Sequence, residues 1–254
     1  MGENYKFNAE KETKNVIDWV RNWFENESGK ADGIILGISG GCDSMVAAKI
    51  CREAVGGDKV LGVLMPNEYQ PDISDSYRVC VTLGIKYCET DINGAYRGII
   101  EQIPANLELT RASKINIAPR IRMTVVYAIG QTLNYRVCGT GNLSEKYVGY
   151  CTKWGDTACD FNPVAGFTKT EVRQIGDYLA LPHDLTHKTP SDGLSGLSDE
   201  ENMKITYEVL DNFIRTGRNP CGEEDAGIKE MLGRITEMNE KSMHKLNPPP
   251  YYKF

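Results

Sequence analysis

The chain has 254 residues, 41% of them hydrophobic, which is enough for a sizeable core. Its 29 Lys and Arg against 35 Asp and Glu give a net charge of −6, and an acidic chain without basic runs gives no support for nucleic-acid binding. No stretch reaches the roughly 18 consecutive apolar residues of a membrane-spanning helix, and residues 1–12 are polar rather than signal-like. We therefore expect a soluble, cytoplasmic protein with neither a nucleic-acid nor a membrane partner.

Cysteine spacing argues against a zinc or disulfide framework. The sequence has eight cysteines, and none of them forms a C-x-x-C pair. Most lie in apolar or mixed segments, where a free thiol behaves as a small buried hydrophobe. In a reducing compartment we expect these residues to be thiols with structural roles.

The first half of the chain alternates between helical and strand patterns. Helical spacing predicts helices at 9–26, 44–55, 74–83, 92–103 and 121–133, and apolar runs predict strands at 33–38, 59–65, 85–89 and 137–139. This alternation predicts an α/β fold with right-handed βαβ units and a mainly parallel sheet covered by helices on both faces. Ligands bind beyond the carboxyl ends of such strands. The Gly-rich turns at 39–43 and 139–142 are therefore expected at one edge.

The second half is more helical. Helices are predicted at 168–179, at 198–215 with a capping-box pattern at Ser198 and Glu201, and at 227–242. Between the first two lies a long polar loop, 183–197, of the kind that often forms an active-site lid. No internal repeat or low-complexity linker interrupts the chain, so a single domain over residues 1–254 is predicted.

The first Gly-rich turn, SGGCDS at 39–44, has the composition of a phosphate-binding loop. Glycines let backbone N–H groups approach phosphate oxygens, and the following helix adds the positive end of its dipole. Asp43 would be repelled by bare phosphate, which indicates a bridging Mg²⁺. No Lys follows Gly41, so this is not a Walker A loop. An ordinary tight turn would explain the glycines, but not Ser39, Asp43 and Ser44 together.

The turn resembles the SGGxDS loop of the N-type ATP pyrophosphatases, which transfer AMP to an oxygen of their substrate and release pyrophosphate. Further segments resemble, in order, the motifs of the ammonia-dependent NAD synthetases within that class. They are NIAPRIRM (116–123), GTGNLSE (139–145), GYCTKWGD (149–156), FTKTEV (167–172), KTPS (188–191) and HK (244–245). The resemblance implies a Rossmann-like adenine nucleotide alpha hydrolase fold. It also implies amidation of deamido-NAD by ammonia and ATP, through an NAD-adenylate, to give NAD, AMP and pyrophosphate.

The resemblance also implies roles for individual residues. For ATP these are Gly37, Ile38, Ser39, Gly40, Gly41, Cys42, Asp43, Ser44, Thr140, Lys169 and Ser191. For deamido-NAD they are Arg120, Lys153, Asp160, His244 and Lys245, and for Mg²⁺ they are Asp43 and Glu145. A homodimer is implied because the family's substrate site crosses a two-fold interface. No catalytic acid or base is assigned.

Simpler explanations exist for several of these residues. Glu145 is also suited to a helix N-terminus, where the dipole favours a carboxylate. Arg120 and Arg122 would suit a solvated helix face, and His244 the surface. Lys169 begins a predicted helix, an unfavourable place for a cation, so a phosphate partner is expected there.

Two other functions fit part of the pattern. The first is another adenylating enzyme of the same class, such as a GMP synthetase core or a tRNA-thiolating enzyme. Thiolation would need a catalytic Cys beside the nucleotide, for which Cys42, Cys151 and Cys159 are candidates. A regulatory nucleotide-binding module without turnover is the second. Hydrolysis of glutamine would require a separate glutaminase domain, for which a chain of this length has no room, so free ammonia is the predicted donor.

Overall fold

The computed structural model describes residues 5–68, 70, 73–190, 198–217 and 226–253. Its strands are β1 (Gly33–Gly37), β2 (Val60–Leu64), β3 (Lys86–Glu89) and β4 (Tyr135–Val137). Its α-helices are α1 (Ala9–Asn26), α2 (Cys42–Val55), α3 (Ile73–Leu83), α4 (Asn93–Gln102), α5 (Arg111–Ile115), α6 (Ile117–Leu133), α7 (Leu143–Tyr147), α8 (Lys169–Tyr178), α9 (His183–Thr186), α10 (Asp199–Met203), α11 (Tyr207–Thr216) and α12 (Ala226–Leu246).

The four strands form one parallel sheet in the order β3-β2-β1-β4. The central strand β1 is apolar because it is covered on both faces. Ile34 and Leu36 face one core, with α1, α2, α3 and α8, whereas Ile35 faces a second core with α6. This alternation is the period of two that a strand imposes on its side chains. The predicted α/β fold, with a parallel sheet flanked by helices, is confirmed.

A third apolar cluster lies in the C-terminal part of the chain. It joins α7, α11 and α12 around Val148, Tyr207, Leu210 and Ile235, all of which are buried. The capping box predicted at the start of α10 is present, with Ser198 and Glu201 exchanging hydrogen bonds. This cluster holds the C-terminal helix beside the segment that follows β4.

The structure corrects several predicted boundaries. The helix predicted at 198–215 is two helices, because the chain turns at Lys204 with a left-handed φ of 55°. The helix α2 begins at Cys42, two residues earlier than predicted, which places Asp43 in its first turn. The last helix continues to Leu246 and includes His244 and Lys245 in its final turn. The predicted lid contains the short helix α9, and its residues 191–197 lie outside the described residues.

Seven of the eight cysteines fall within the described residues, and all seven are free thiols. Cys42, Cys51, Cys80 and Cys138 are buried, in agreement with a role as small apolar side chains. Among the described helices, none is long and apolar enough to cross a membrane.

Candidate functional site

The phosphate loop, residues 37–44, connects β1 to α2 at the carboxyl edge of the sheet. The hydroxyl groups of Ser39 and Ser44 lie 3.1 Å apart, and Ser44 Oγ donates to the carbonyl of Gly41 at 3.2 Å. Gly40 has a φ of 79°, and a Cβ there would lie 2.9 Å from Asp75 Cβ. Glycine is therefore required at this position for both backbone conformation and space.

The second Gly-rich turn, residues 139–142, follows β4 at the same edge and ends in the helix cap Asn142. The Asn142 side chain is completely buried. Its Oδ1 accepts from the backbone N–H of Glu145 at 3.0 Å, and its Nδ2 donates to Asp43 Oδ1 at 3.2 Å. One amide therefore caps α7 and links the two loops.

The two predicted metal-binding carboxylates meet at one lysine. Lys169 Nζ forms an ion pair with Asp43 and lies 3.7 Å from Glu145 Oε1. The Lys169 side chain is 4% exposed, and those of Asp43 and Glu145 are 17% and 20% exposed. Lys169 is held at the first position of α8 by the capping box of Thr168 and Glu171. The partner of this lysine in the structure is thus a carboxylate pair, where the sequence suggested a phosphate.

The electrostatics of this group favour an additional cation. Burial, followed by the neighbouring charge of Asp43, raises the pKa of Glu145 to about 8. Burial by itself would lower the pKa of Lys169, but the carboxylates of Asp43 and Glu145 outweigh it and raise that pKa. One ammonium therefore faces two carboxyl groups, and Glu145 ionises readily only when further positive charge is brought to the group.

The donor set suits magnesium better than a metal with an all-protein coordination shell. Among the described residues there is no group of three or more metal-ligating side chains. Mg²⁺ prefers oxygen ligands and is commonly held by one or two carboxylates, with waters and substrate phosphates completing the octahedron. Asp43 and Glu145, beside a phosphate loop, fit that preference.

A cavity of about 550 Å³ opens over these loops. The predicted ATP residues that line it are Gly37, Ile38, Ser39, Gly41, Cys42, Asp43, Ser44, Thr140 and Lys169. Gly40 lies behind the loop against α3, and Ser191 lies outside the described residues. Lys188, in the first part of the predicted lid, also lines the cavity, and its Nζ donates to Asp75 Oδ2 at 2.6 Å.

The residues predicted to bind deamido-NAD are more dispersed. Only Lys245 lines the cavity, and its Nζ donates to the carbonyls of Gly149 and Cys151. Arg120, Lys153 and His244 form a connected surface group, in which Arg120 and His244 are exposed and Lys153 is half-buried. Arg120 Nε donates to the Lys153 carbonyl at 3.2 Å, and Lys153 Nζ donates to the His244 carbonyl at 2.5 Å.

The Asp160 side chain is not part of the cavity lining and bonds to β4 and α6 instead. Its carboxylate accepts from the backbone N–H of Val137 at 2.8 Å and from the Tyr127 hydroxyl at 3.2 Å. In this structure it fixes the end of β4. The assigned roles of all these substrate residues stay predictions.

Sequence reasoning missed several residues at the cavity. Arg122 and Asp156 line it, although only Arg120 was assigned a role in the first motif. Asp199 also lines it and accepts a hydrogen bond from the Tyr207 hydroxyl at 3.2 Å. The Tyr207 ring lies 5.5 Å from Lys169 Nζ. The sequence did carry a signal for Arg122. Arg120 and Arg122 are two residues apart on a helix and so face different directions, which means that they cannot share one solvated face.

The thiols near the cavity are poorly suited to nucleophilic chemistry. Burial raises the pKa of Cys42 to about 12 and that of Cys151 to about 11. Burial also raises the pKa of Cys159. Because the thiolate is the reactive form, these environments disfavour a thiol-dependent reaction such as thiolation.

Comparison with known proteins places this site in a family. The NAD synthase family model matches residues 12–249. An NH₃-dependent NAD(+) synthetase of Methanocaldococcus jannaschii is 38% identical over 234 residues, which cover 88% of this chain and 90% of the relative.

Two solved structures are also similar to this chain. An NMN synthetase from Francisella tularensis has a TM-score of 0.87 at 30% identity, with 98% of this chain and 100% of that chain covered. An NH₃-dependent NAD synthetase from Campylobacter jejuni has a TM-score of 0.76 at 28% identity, with 97% of this chain and 100% of that chain covered. The chain therefore belongs to the NAD synthase family of ligases.

Proposed function

We propose that this chain amidates deamido-NAD with ammonia at the expense of ATP, giving NAD, AMP and pyrophosphate. The observation that carries the proposal is the meeting of Asp43 and Glu145 at Lys169, beside a phosphate loop and within one cavity. Family membership supports the reaction class, and the relative from Methanocaldococcus jannaschii is named for the same overall activity.

The reaction has two steps. A carboxylate oxygen of deamido-NAD attacks the α-phosphorus of ATP, the bond to the β-phosphate breaks, and pyrophosphate leaves. Ammonia then attacks the acyl carbon of the NAD-adenylate, the bond to AMP breaks, and the nitrogen releases one proton to solvent. Adenylation supplies a leaving group that a free carboxylate lacks, so the protein acts mainly by positioning the reactants and offsetting charge.

The residues of the site divide this work. The backbone of the phosphate loop and the N-terminus of α2 bind the ATP phosphates. Asp43 and Glu145 hold Mg²⁺, which offsets negative charge on the phosphates. Lys169, buried and charged, supplies the fixed positive charge next to them. We assign no residue as a general base, because ammonia is itself a nucleophile once it is deprotonated.

The proposal is tested by incubating the purified protein with deamido-NAD, ATP, Mg²⁺ and ammonium, and measuring NAD and pyrophosphate. Equal amounts of both products are expected, and Asp43→Asn and Glu145→Gln are expected to lower the rate at least about 100-fold. Absence of NAD at every ammonium concentration would refute the proposal. Pyrophosphate release alone would leave adenylation without amidation.

A mononucleotide substrate is the second candidate. It is favoured by the high structural similarity to the NMN synthetase of Francisella tularensis, with a TM-score of 0.87 over nearly the whole chain. Both reactions would use the same phosphate loop and carboxylates, because the reacting carboxylate belongs to nicotinate in either substrate. The ratio of kcat/KM for nicotinic acid mononucleotide and deamido-NAD, measured under identical conditions, distinguishes them.

We also propose a single catalytic domain that works as a homodimer. The surface group of Arg120, Lys153 and His244 lies outside the cavity lining, where a partner subunit would be needed to complete a substrate site. Light scattering on the purified chain should give a mass near twice 28.3 kDa. A monomeric mass together with full activity would refute the shared site.

A further inference from the structure

Among the described residues, Arg122 is the only arginine in the cavity wall, and like Lys245 it bonds to backbone carbonyl oxygen rather than to a carboxylate. It is half-buried on the second turn of α6 and lines the cavity. Its Nε donates to the carbonyl of Met65 at 3.1 Å, just beyond the end of β2. This bond fixes the guanidinium at the carboxyl edge of the sheet, where the phosphate loop also lies.

Other described residues offset the positive charge of Arg122 only in part. Among the described residues, no carboxylate lies within the 4.0 Å ion-pair distance of this guanidinium, whereas Lys169 has such a partner and so does Lys188. Its neighbours in the cavity wall include the apolar side chains of Val63 and Val126. Burial accordingly lowers the pKa of Arg122, and Asp156 opposes this only in part.

A half-buried charge without a partner is costly in a folded protein. Such groups are common at functional sites, where a ligand provides the missing charge. The Met65 hydrogen bond occupies Nε and leaves the terminal nitrogens of the guanidinium for a ligand. A planar guanidinium binds carboxylate or phosphate oxygens with two parallel hydrogen bonds.

We propose that Arg122 binds an anionic oxygen pair of the reacting groups, either the α-phosphate of ATP or the carboxylate of the nicotinate substrate. This inference rests on the proposed function. In the first step a carboxylate must approach a phosphate, and their like charges repel. A guanidinium fixed at the meeting point offsets that repulsion as the new P–O bond forms and pyrophosphate leaves.

The test uses the full chain with Arg122→Met, which keeps the apolar stem and removes the charge, and Arg122→Lys, which keeps the charge without the planar fork. Arg21→Met is the matched control, because Arg21 Nε also donates to a backbone carbonyl, that of Ala54 at 3.3 Å, but the residue is not in the cavity wall. We expect Arg122→Met to lower kcat/KM for NAD formation at least about 100-fold, equivalent to about 2.7 kcal/mol. The kcat/KM of Arg122→Lys should lie between those of wild type and Arg122→Met, and Arg21→Met should keep the wild-type kcat/KM.

Binding measurements separate the two sources of the anion. If the partner is the α-phosphate, Arg122→Met weakens binding of ATP alone. If it is the carboxylate, the variant binds deamido-NAD more weakly while its affinity for NAD, which carries an amide there, is unchanged. Loss in both measurements places Arg122 between the two groups.

Thermal unfolding provides a readout that a structural role would not share. Removing an unbalanced charge should leave the Tm of Arg122→Met at or above the wild-type value, whereas a residue needed only for the Met65 bond would lower it. Wild-type kcat/KM and unchanged binding of both ligands would overturn the inference while leaving the proposed function intact. If the wild-type chain makes no NAD, and Arg122→Met binds ATP more weakly than wild type, the proposed function fails but the anion site stands.

Discussion

Replacing Lys169 with Met tests whether this lysine holds the two carboxylates together. Met has a similar unbranched shape and removes the ammonium group that pairs with Asp43 and lies 3.7 Å from Glu145 Oε1. In the variant, two partly buried carboxyl groups would face each other without a cation, and both could ionise only at a further cost in stability. The apo protein should therefore be destabilised, and its dependence on Mg²⁺ should increase.

The size of the effect follows from the distances and the burial. At an effective dielectric constant of about 20, a charge pair at this separation attracts by about 4 kcal/mol. Removing one partner of a buried pair typically costs about 3–5 kcal/mol. The lower end is expected here, because Asp43 and Glu145 remain 17% and 20% exposed and can be partly hydrated. For a chain of this size, about 3 kcal/mol corresponds to a fall in Tm of about 6–12 °C.

The assay is urea unfolding in Mg²⁺-free buffer, repeated with Mg²⁺. Lys146→Met is the control, since Lys146 is an exposed lysine next to Glu145 in the chain. Adding Glu145→Gln to Lys169→Met should recover part of the lost stability, because only one carboxylate then remains. Mg²⁺ should stabilise Lys169→Met more than wild type, since it replaces the missing positive charge.

Two results would refute this reasoning. The first is a free energy of unfolding for Lys169→Met equal to that of Lys146→Met. The second is an equal increase in stability on adding Mg²⁺ to wild type and to Lys169→Met. Either would mean that the carboxylates do not depend on Lys169 in solution.

The pKa of Glu145 rises from 4.5 to about 8 on folding, so the folded state binds more protons between these values. This contribution to stability is present below pH 4.5 and is lost as pH rises through about 8. Glu145→Gln should therefore reduce the fall in unfolding free energy between pH 4.5 and 8, measured by Mg²⁺-free urea titrations; an unchanged pH dependence would contradict the assignment. Alanine at Cys42, Cys151 and Cys159 should leave NAD formation within about threefold of wild type, because a buried thiol with a raised pKa is a poor nucleophile; a collapse of activity would favour thiol chemistry. Gly149 has a φ of 63°, and a Cβ there would lie 2.1 Å from Ser242 Cβ, so Gly149→Ala should destabilise the protein by about 2–4 kcal/mol. Adding Ser242→Gly should restore part of that loss in urea unfolding, and no recovery would show that backbone strain dominates.

Local patterns were sufficient to predict much of the fold. The helix at residues 9–26 and the strand beginning at Gly33 have clear periodicity, and the structure has both. The break at Lys204 was missed because the segment around it has no Gly or Pro, although Thr206 caps the start of α11. Tyr207 was therefore read as part of a continuous helix, although it begins α11 and packs below Lys169.

The site was partly predictable for a similar reason. Asp43 and Glu145 each follow a strand of a parallel sheet, and topology alone brings such positions to one edge. The partner of Lys169 depends on where α8 packs against α2, which is a contact between residues far apart in sequence. Arg122 was missed because its burial and its bond to the Met65 carbonyl arise from the packing of α6 on the sheet.

The bridging side chain of Asn142 has a mechanical consequence. Since it is bonded to Asp43 on one side and to the start of α7 on the other, movement of either loop is transmitted directly to its counterpart. The two halves of the site are therefore already linked before a nucleotide arrives, which reduces the conformational entropy lost in assembling them. Shortening this residue to Ala would uncouple them, so that each loop could relax at its own rate.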